Sequence, residues 1–191
     1  MHHKYHTDAI ILSSRNSGEA DRVFTLFTRD LGVLYAKATG IRKKESKLRY
    51  SLQFGSLARV DLVRGKDIWR ITSASHVPFS EKIFKDKEKS KIYSKILSLV
   101  YRLYRSEEKE EALFDDLVKT VQIFSLDIQK DIKYDFFEIS SVMMILSHLG
   151  YWKDEGESIP KPYELSLFEQ VEKNRNMLVL KINRALRETQ L

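Results

Sequence analysis

The sequence predicts an α+β protein, with a five-stranded β-barrel over residues 1–79 and an all-α helical domain over residues 80–191. Two observations predict this order. Up to Pro78 the chain consists of short β-rich segments separated by turns, and beyond it apolar residues recur at helical spacing. The charge changes at the same place, because residues 1–80 carry 14 Lys and Arg against 7 Asp and Glu (+7), whereas the remainder carry 19 against 20 (−1). A basic first half indicates a polyanionic partner.

The strands are predicted from aromatic and β-branched residues that often alternate with polar ones. They are Ala9–Ser14, Arg22–Arg29, Gly32–Thr39, Ser56–Arg64 and Asp67–Val77. Between them lie turn-forming residues, among them Gly18, Gly32, Gly40 and Gly65. Five short antiparallel strands within about 75 residues are typical of a small barrel.

The helices are predicted from three apolar stripes. The stripes run through Ile92 to Leu103, Leu113 to Phe124, and Phe136 to Leu149. Gly150 follows the third stripe at the position of a helix C-cap. A loop is expected over Gly150–Pro162, followed by weaker helical segments over Tyr163–Asn174 and Met177–Thr189.

Composition excludes several classes of function. The chain has no cysteine, which excludes disulfides, thiolate catalysis and cysteine-ligated metals. No apolar stretch approaches the roughly 20 residues that span a bilayer, and no secretory leader begins the sequence, so we expect a cytoplasmic protein. Phosphate-loop, dinucleotide and hydrolase motifs are missing, so we expect neither an enzyme nor a cofactor.

The histidines do not change this expectation. His2, His3 and His6 lie close together without a carboxylate partner, and such a cluster is more often a solvated tail than a metal site. His148 lies near a helix end, where packing or capping is its expected role. We predict no bound metal.

The most informative stretch is the basic segment, residues 37–49, in which six cations accompany one carboxylate, Glu45. It follows a strand and surrounds Gly40, so its side chains are expected to project from a loop at the barrel rim, where phosphates can lie along them. A solvated loop is the alternative. The predicted phosphate contacts are Lys37, Arg42, Lys43, Lys44, Lys47 and Arg49, extended by Arg15, Arg22 and Arg64.

Aromatic residues accompany the basic segment. Tyr35, Tyr50, Phe54 and Trp69 are candidates for stacking on bases, although each alone is more often a core residue. The residues therefore predict a basic barrel that binds nucleic acid. They leave open DNA or RNA, because phosphate contacts do not distinguish the sugars. A scaffold that binds an acidic protein is a third alternative.

Several motifs give the chain a more specific resemblance. They are Thr7 to Leu12, Gly18 to Arg22, Leu26 to Gly32, Lys37 to Ser46 with Leu52-Gln53-Phe54 after it, Ala112 to Phe114, and Leu146 to Tyr151. In these the sequence resembles the bacterial recombination mediator family RecO. It departs from many members between Tyr151 and Tyr163, where they carry a cysteine-bearing zinc insertion and this chain has no cysteine. The zinc site of the family is therefore assigned to no residue of this chain.

The resemblance implies an oligonucleotide/oligosaccharide-binding (OB) barrel followed by a helical domain. It also implies a nucleoid-associated role in recombinational DNA repair, with binding of single- and double-stranded DNA, strand annealing and help in loading recombinase. The implied partners are the acidic C-terminal tail of single-strand-binding protein and the mediator RecR.

A basic row on the first predicted helix, about Lys91 to Arg105, offers a place for that tail. At 100° per residue, Lys91, Lys95, Arg102 and Arg105 fall beside the apolar stripe. The row is about 21 Å long, the length of an extended peptide of about six residues. An ordinary solvated helix face is the alternative.

Overall fold

The computed structural model of this protein describes residues 3–126, 134–152 and 159–189. The described residues form two compact units. One contains the chain up to Glu81 together with Arg105–Phe114, and the other contains Lys82–Tyr104 together with the chain from Asp115 onward. The expected domain boundary after residue 79 stays a prediction. Segment 105–114, however, packs with the barrel, although it lies in the half of the sequence predicted to be helical.

The first unit is built on a closed five-stranded barrel with the strand order β1-β2-β3-β5-β4. The strands are β1 (Lys4–Ser17), β2 (Asp21–Thr28), β3 (Gly32–Ala38), β4 (Leu57–Arg64) and β5 (Trp69–Val77). A short helix, α1 (Leu48–Ser51), lies between β3 and β4. Five strands closed in this order are the architecture of an OB-fold, so the predicted fold of the first unit is confirmed.

The expectation of an entirely antiparallel barrel is wrong at one strand pair. β3 and β5 run parallel, with Ala36 opposite Trp69 and Lys37 opposite Arg70. Connectivity explains this. Because β4 is antiparallel to β1 and β5 is antiparallel to β4, β5 points the same way as β1 and β3. Closing the barrel through β3 and β5 therefore requires a parallel pair.

The barrel core follows the two-residue period of its strands. Its central members include Ala9, Ile11, Phe24, Leu26, Leu34, Val60, Leu62 and Trp69. On the outside of the strands, segment 105–114 covers part of β2 and β3. Phe27 meets Phe114 edge to face with ring centroids 5.3 Å apart, and the N–H of Val33 donates to the carbonyl of Ser106 at 2.8 Å. Strand residues facing away from the barrel interior are therefore buried as well, as Phe27 and Val33 show.

The second unit is helical, as predicted. Its elements are α2 (Lys87–Leu103), the greater part of α3 (Glu111–Ser125), α4 (Tyr134–His148), α5 (Phe168–Lys173) and α6 (Arg175–Glu188). Asp86 caps α2, because its Oδ1 accepts from the N–H groups of Glu88 and Lys89 at 2.9 and 3.0 Å. Gly150 follows α4 with φ +74°, as the C-cap prediction requires. The predicted loop over Gly150–Pro162 lies partly outside the described residues.

Candidate nucleic-acid interface

The basic segment leaves the barrel at the end of β3 and forms an ordered turn before α1. Gly40 has a φ of +67°, a conformation that favours glycine, and reverses the chain at the start of the segment. The N–H of Lys43 donates to the carbonyl of Gly40 at 3.1 Å, and the N–H of Ser46 donates to the carbonyl of Lys43 at 3.2 Å. The segment therefore has a defined backbone on which its cations are spaced.

Asp21, the first residue of β2, anchors this turn. Its carboxylate accepts from the backbone N–H of Gly40 at 2.8 Å and forms an ion pair with Lys37 at 2.9 Å. The Gly40 N–H, and after it Lys37, hold the pKa of Asp21 below its ordinary value. One predicted phosphate contact, Lys37, is thereby already paired with a carboxylate. Counting charges along the chain did not identify Asp21 as a partner of the basic segment, because it is 19 residues from Gly40.

The other cations of the segment extend into solvent. Arg42, Lys43, Lys44, Lys47 and Arg49 are all exposed. Within the ranges that the structure describes, none of the five forms an ion pair with a carboxylate. The structure thus leaves five of the six predicted contacts of the basic segment exposed and without an ion-pair partner in the described ranges.

Three arginines line one cavity at the basic segment. Arg22 on β2 joins Arg42 and Arg49 in lining a cavity of about 250 Å³, whose remaining lining residues are Ile41 and Leu52. Arg22 and Arg42 are 20 residues apart, and the barrel strands bring them together.

The two remaining predicted contacts do not line this cavity. Arg15 is exposed on β1, opposite Val23 of β2. Arg64 ends β4, where its Nη1 lies 3.8 Å from Oε2 of Glu107 and its guanidinium carbon lies 5.3 Å from the centre of the Trp69 ring. Arg64 is therefore already engaged by a carboxylate and an aromatic face.

Three of the four candidate stacking residues are accessible. Tyr35, Tyr50 and Phe54 are 44%, 64% and 43% exposed, whereas Trp69 is 5% exposed and belongs to the barrel core. Tyr50 directly follows Arg49 on α1, and its ring meets His76 edge to face at 4.8 Å. The structure therefore leaves the ring of Tyr50 accessible for stacking beside the basic segment, and it excludes Trp69 as a stacking residue.

The predicted basic row lies partly on α2. Lys91, Lys95 and Arg102 are exposed on this helix, but Arg105 is not part of it, because α2 ends at Leu103. Nζ of Lys95 lies 2.7 Å from Oε1 of Glu138 on α4. Lys91 and Arg102 are the members of the row that remain exposed on the helix without a carboxylate partner in the described part of the chain.

A second polar cluster surrounds Asp116, a buried residue of α3 that the sequence did not single out. Its Oδ2 lies 3.0 Å from Nε2 of His148 and 3.0 Å from Nζ of Lys161, and its Oδ1 accepts from the hydroxyl of Tyr163 at 2.8 Å. Burial alone raises the pKa of Asp116, but hydrogen bonds from His148, Lys161 and Tyr163 outweigh it, so the pKa lies below its ordinary value. His148 is thus hydrogen-bonded to a buried carboxylate, and the cluster connects α3, α4 and the chain before α5.

The described residues contain no group of three His, Cys, Asp or Glu side chains arranged to hold a metal ion. Nδ1 of His6 lies 2.5 Å from Oδ1 of Asp61, and the ring of His3 meets Tyr5 edge to face. His2 lies outside the described residues, and a metal-free protein stays a prediction. Among the helices in the described ranges, none has the length and hydropathy needed to cross a membrane.

Comparison with known proteins places this barrel in a family context. Residues 1–78 match the family model described as "Recombination protein O N terminal". DNA repair protein RecO of Dehalococcoides mccartyi strain BAV1 is 32% identical over 149 residues, which cover 78% of this chain and 57% of that protein. The protein of the same name from Heliobacterium modesticaldum is 37% identical over 99 residues, covering 52% of this chain and 36% of that protein. The protein of the same name from Desulfitobacterium hafniense strain DCB-2 is 39% identical over 71 residues, which cover 37% of this chain and 26% of that protein. The chain therefore spans about half the length, or less, of these curated relatives.

Proposed function

Because this chain belongs to the RecO family, whose matching members are named DNA repair proteins, we propose that it acts in DNA repair as a DNA-binding recombination mediator. In this proposal it binds single- and double-stranded DNA, anneals complementary strands and helps to load recombinase onto strands coated by single-strand-binding protein. It acts without enzymatic chemistry or a cofactor, in the cytoplasm at the nucleoid. One observation carries the proposal: five exposed cations of the basic segment have no carboxylate partner among the described residues.

Charge neutralisation is the proposed mechanism. Lys and Arg on the basic segment contact phosphates and release the counterions condensed on the strand. Two strands whose charges are screened in this way repel each other less and can pair. The exposed ring of Tyr50, beside Arg49, offers a face on which a base can stack, a contact worth about 1–3 kcal/mol per base.

The proposed protein partners have unequal support from the structure. The acidic tail of single-strand-binding protein is proposed to lie along the basic row, where Lys91 and Arg102 offer exposed cations and Lys95 exchanges Glu138 for a carboxylate of the tail. Arg105 lies beyond the end of the helix, so its contact with the tail stays a prediction from the sequence. The RecR partnership rests on family membership alone.

A strand-annealing assay tests the proposed function. Complementary oligonucleotides, one of them fluorescently labelled, are mixed with the protein, with and without a single-strand-binding protein. We expect annealing to accelerate in both conditions. Replacing Arg42, Lys43, Lys44 and Lys47 together by alanine should abolish the acceleration. Binding of RNA but not DNA of the same sequence, or no binding of either, would contradict the proposal.

A further inference from the structure

The cavity lined by Arg22, Arg42 and Arg49 has three positively charged groups in its lining and no carboxylate. In the described ranges no carboxylate forms an ion pair with any of the three. Asp21, the neighbour of Arg22 in sequence, is occupied by Lys37 and the Gly40 N–H. Like charges around a common space repel one another, and an anion between them removes that repulsion.

Each guanidinium donates to one or two uncharged oxygens. Nη1 of Arg42 donates to the carbonyl of Gly18 at 3.2 Å, and Nε of Arg22 donates to Oδ1 of Asn16 at 3.1 Å. Nη2 of Arg49 donates to the carbonyls of Arg42 and Lys43 at 3.1 and 2.5 Å. An arginine has five N–H donors, so at least three remain on each side chain for a ligand. The arginines are oriented without being neutralised, as an anion site requires.

The apolar residues of the cavity strengthen its attraction for an anion. Ile41 and Leu52 are 3% and 4% exposed and belong to the barrel core cluster. Charges beside such a surface are less screened than charges in open solvent. The volume of about 250 Å³ is far above the roughly 10–15 Å³ that one water molecule needs on the same measure, which leaves room for a phosphate group and its ester substituent.

The charge of the cavity favours one kind of phosphate. An internal phosphodiester carries one negative charge, whereas a phosphomonoester carries about 1.5 to 2 at neutral pH and offers three terminal oxygens. Three unbalanced guanidinium groups therefore gain more from a monoester. We propose that this cavity binds the terminal phosphate of a nucleic-acid strand in preference to an internal one. The inference rests on the proposed DNA binding and adds recognition of the strand end, with the lysines of the basic segment holding the adjoining diesters.

Three oligonucleotides of one sequence test this directly. Each is a 12-nucleotide thymidine strand labelled at an internal base, ending in a 5′-phosphate, a 3′-phosphate or hydroxyl groups at both ends. By fluorescence anisotropy we expect at least one phosphorylated strand to bind about fivefold or more tightly than the hydroxyl strand. Equal affinities would overturn the inference and leave the proposed function standing. Binding of none of the three would overturn both.

Single-arginine variants test whether the cavity causes the preference for phosphorylated strands. Arg22→Gln and Arg49→Gln should bring the ratio of phosphorylated to hydroxyl affinities close to one. Lys44→Gln removes the same charge from an exposed residue outside the cavity and should weaken both strands while keeping the ratio. An unchanged ratio in both arginine variants would place end recognition elsewhere and refute the assignment.

Two further measurements need no altered protein. The preference should decline below about pH 6, where the monoester loses its second charge and the diester does not change. Inorganic phosphate should compete with the phosphorylated strand at concentrations that leave the hydroxyl strand bound. A preference that is constant from pH 7.5 to pH 5.5, with no such competition, would contradict a charge-based site.

Discussion

Salt dependence of DNA binding gives the sharpest quantitative test of the candidate interface. Composition alone counts six cations on the basic segment, but the structure pairs Lys37 with Asp21 at 2.9 Å. The perturbation is the combined replacement of Arg42, Lys43, Lys44 and Lys47 by alanine, which leaves Arg49 and the anchor of the turn in place.

The expected magnitude follows from counterion release. Each phosphate neutralised on a single strand contributes about −0.7 to the slope of log affinity against log salt, so the five unpaired cations give a slope of about −3.5. Affinity should then fall about a hundredfold between 50 and 200 mM salt. Four fewer contacts should make the slope less steep by about 2.8, so the variant should lose only about threefold over the same interval. Lys37→Ala should leave the slope nearly unchanged, because Lys37 already pairs with a carboxylate.

Fluorescence anisotropy with a labelled single strand at four or more salt concentrations measures these slopes. The matched control replaces Lys82, Lys85, Lys87 and Lys173 by alanine, which removes the same four charges from exposed positions outside the basic segment. Its slope should equal that of the unaltered protein, and far-UV circular dichroism should agree for all three proteins. A control slope that flattens as much as the test variant would show that net charge, not this segment, governs binding.

Further predictions concern stability. Gly32→Ala should destabilise the protein by more than the roughly 1–2 kcal/mol of a left-handed backbone conformation, because the added Cβ would clash with the backbone carbonyl of Glu108. Gly18 has a similar φ but open space around it, so Gly18→Ala should lower the free energy of unfolding only by the cost of the left-handed conformation. Chemical denaturation of both variants measures this difference. Asp116→Asn should lower stability by about 1–3 kcal/mol at pH 7. The pKa of Asp116 in the folded state lies below its ordinary value of 3.8, so this difference should persist above pH 4 and shrink as the pH falls below 3.8; a constant difference down to pH 2 would refute the role of its charge. A chelator should leave the melting temperature unchanged, and stoichiometric zinc in elemental analysis would contradict this.

Local patterns in the sequence were sufficient to predict most elements of the fold. The apolar stripe from Ile92 to Leu103 predicts a helix, and α2 covers it, because a helix that packs on one face must repeat its apolar residues at that spacing. Elements without such a pattern were missed or shortened. β1 begins at Lys4, five residues before its predicted start, because its first residues are mostly polar and are ordered by pairing with β4. The four residues of α1 are too few to show a helical period.

The candidate interface divides in the same way. Sequence alone located the basic segment and its cations, because charge density is a local property. Contacts between residues distant in sequence determine which of these cations are unpaired, which of them share a cavity and which aromatic side chain is buried. Asp21 removes Lys37 from the free cations, Arg22 joins Arg42 and Arg49 at one cavity, and Trp69 turns into the barrel core. The parallel pairing of β3 with β5 is of the same kind. The sequence determines which residues are charged or apolar, but strand pairing determines which of them meet. The β2–β3 pairing brings Asp21 and Arg22 to the basic segment, and barrel closure pairs β3 with β5.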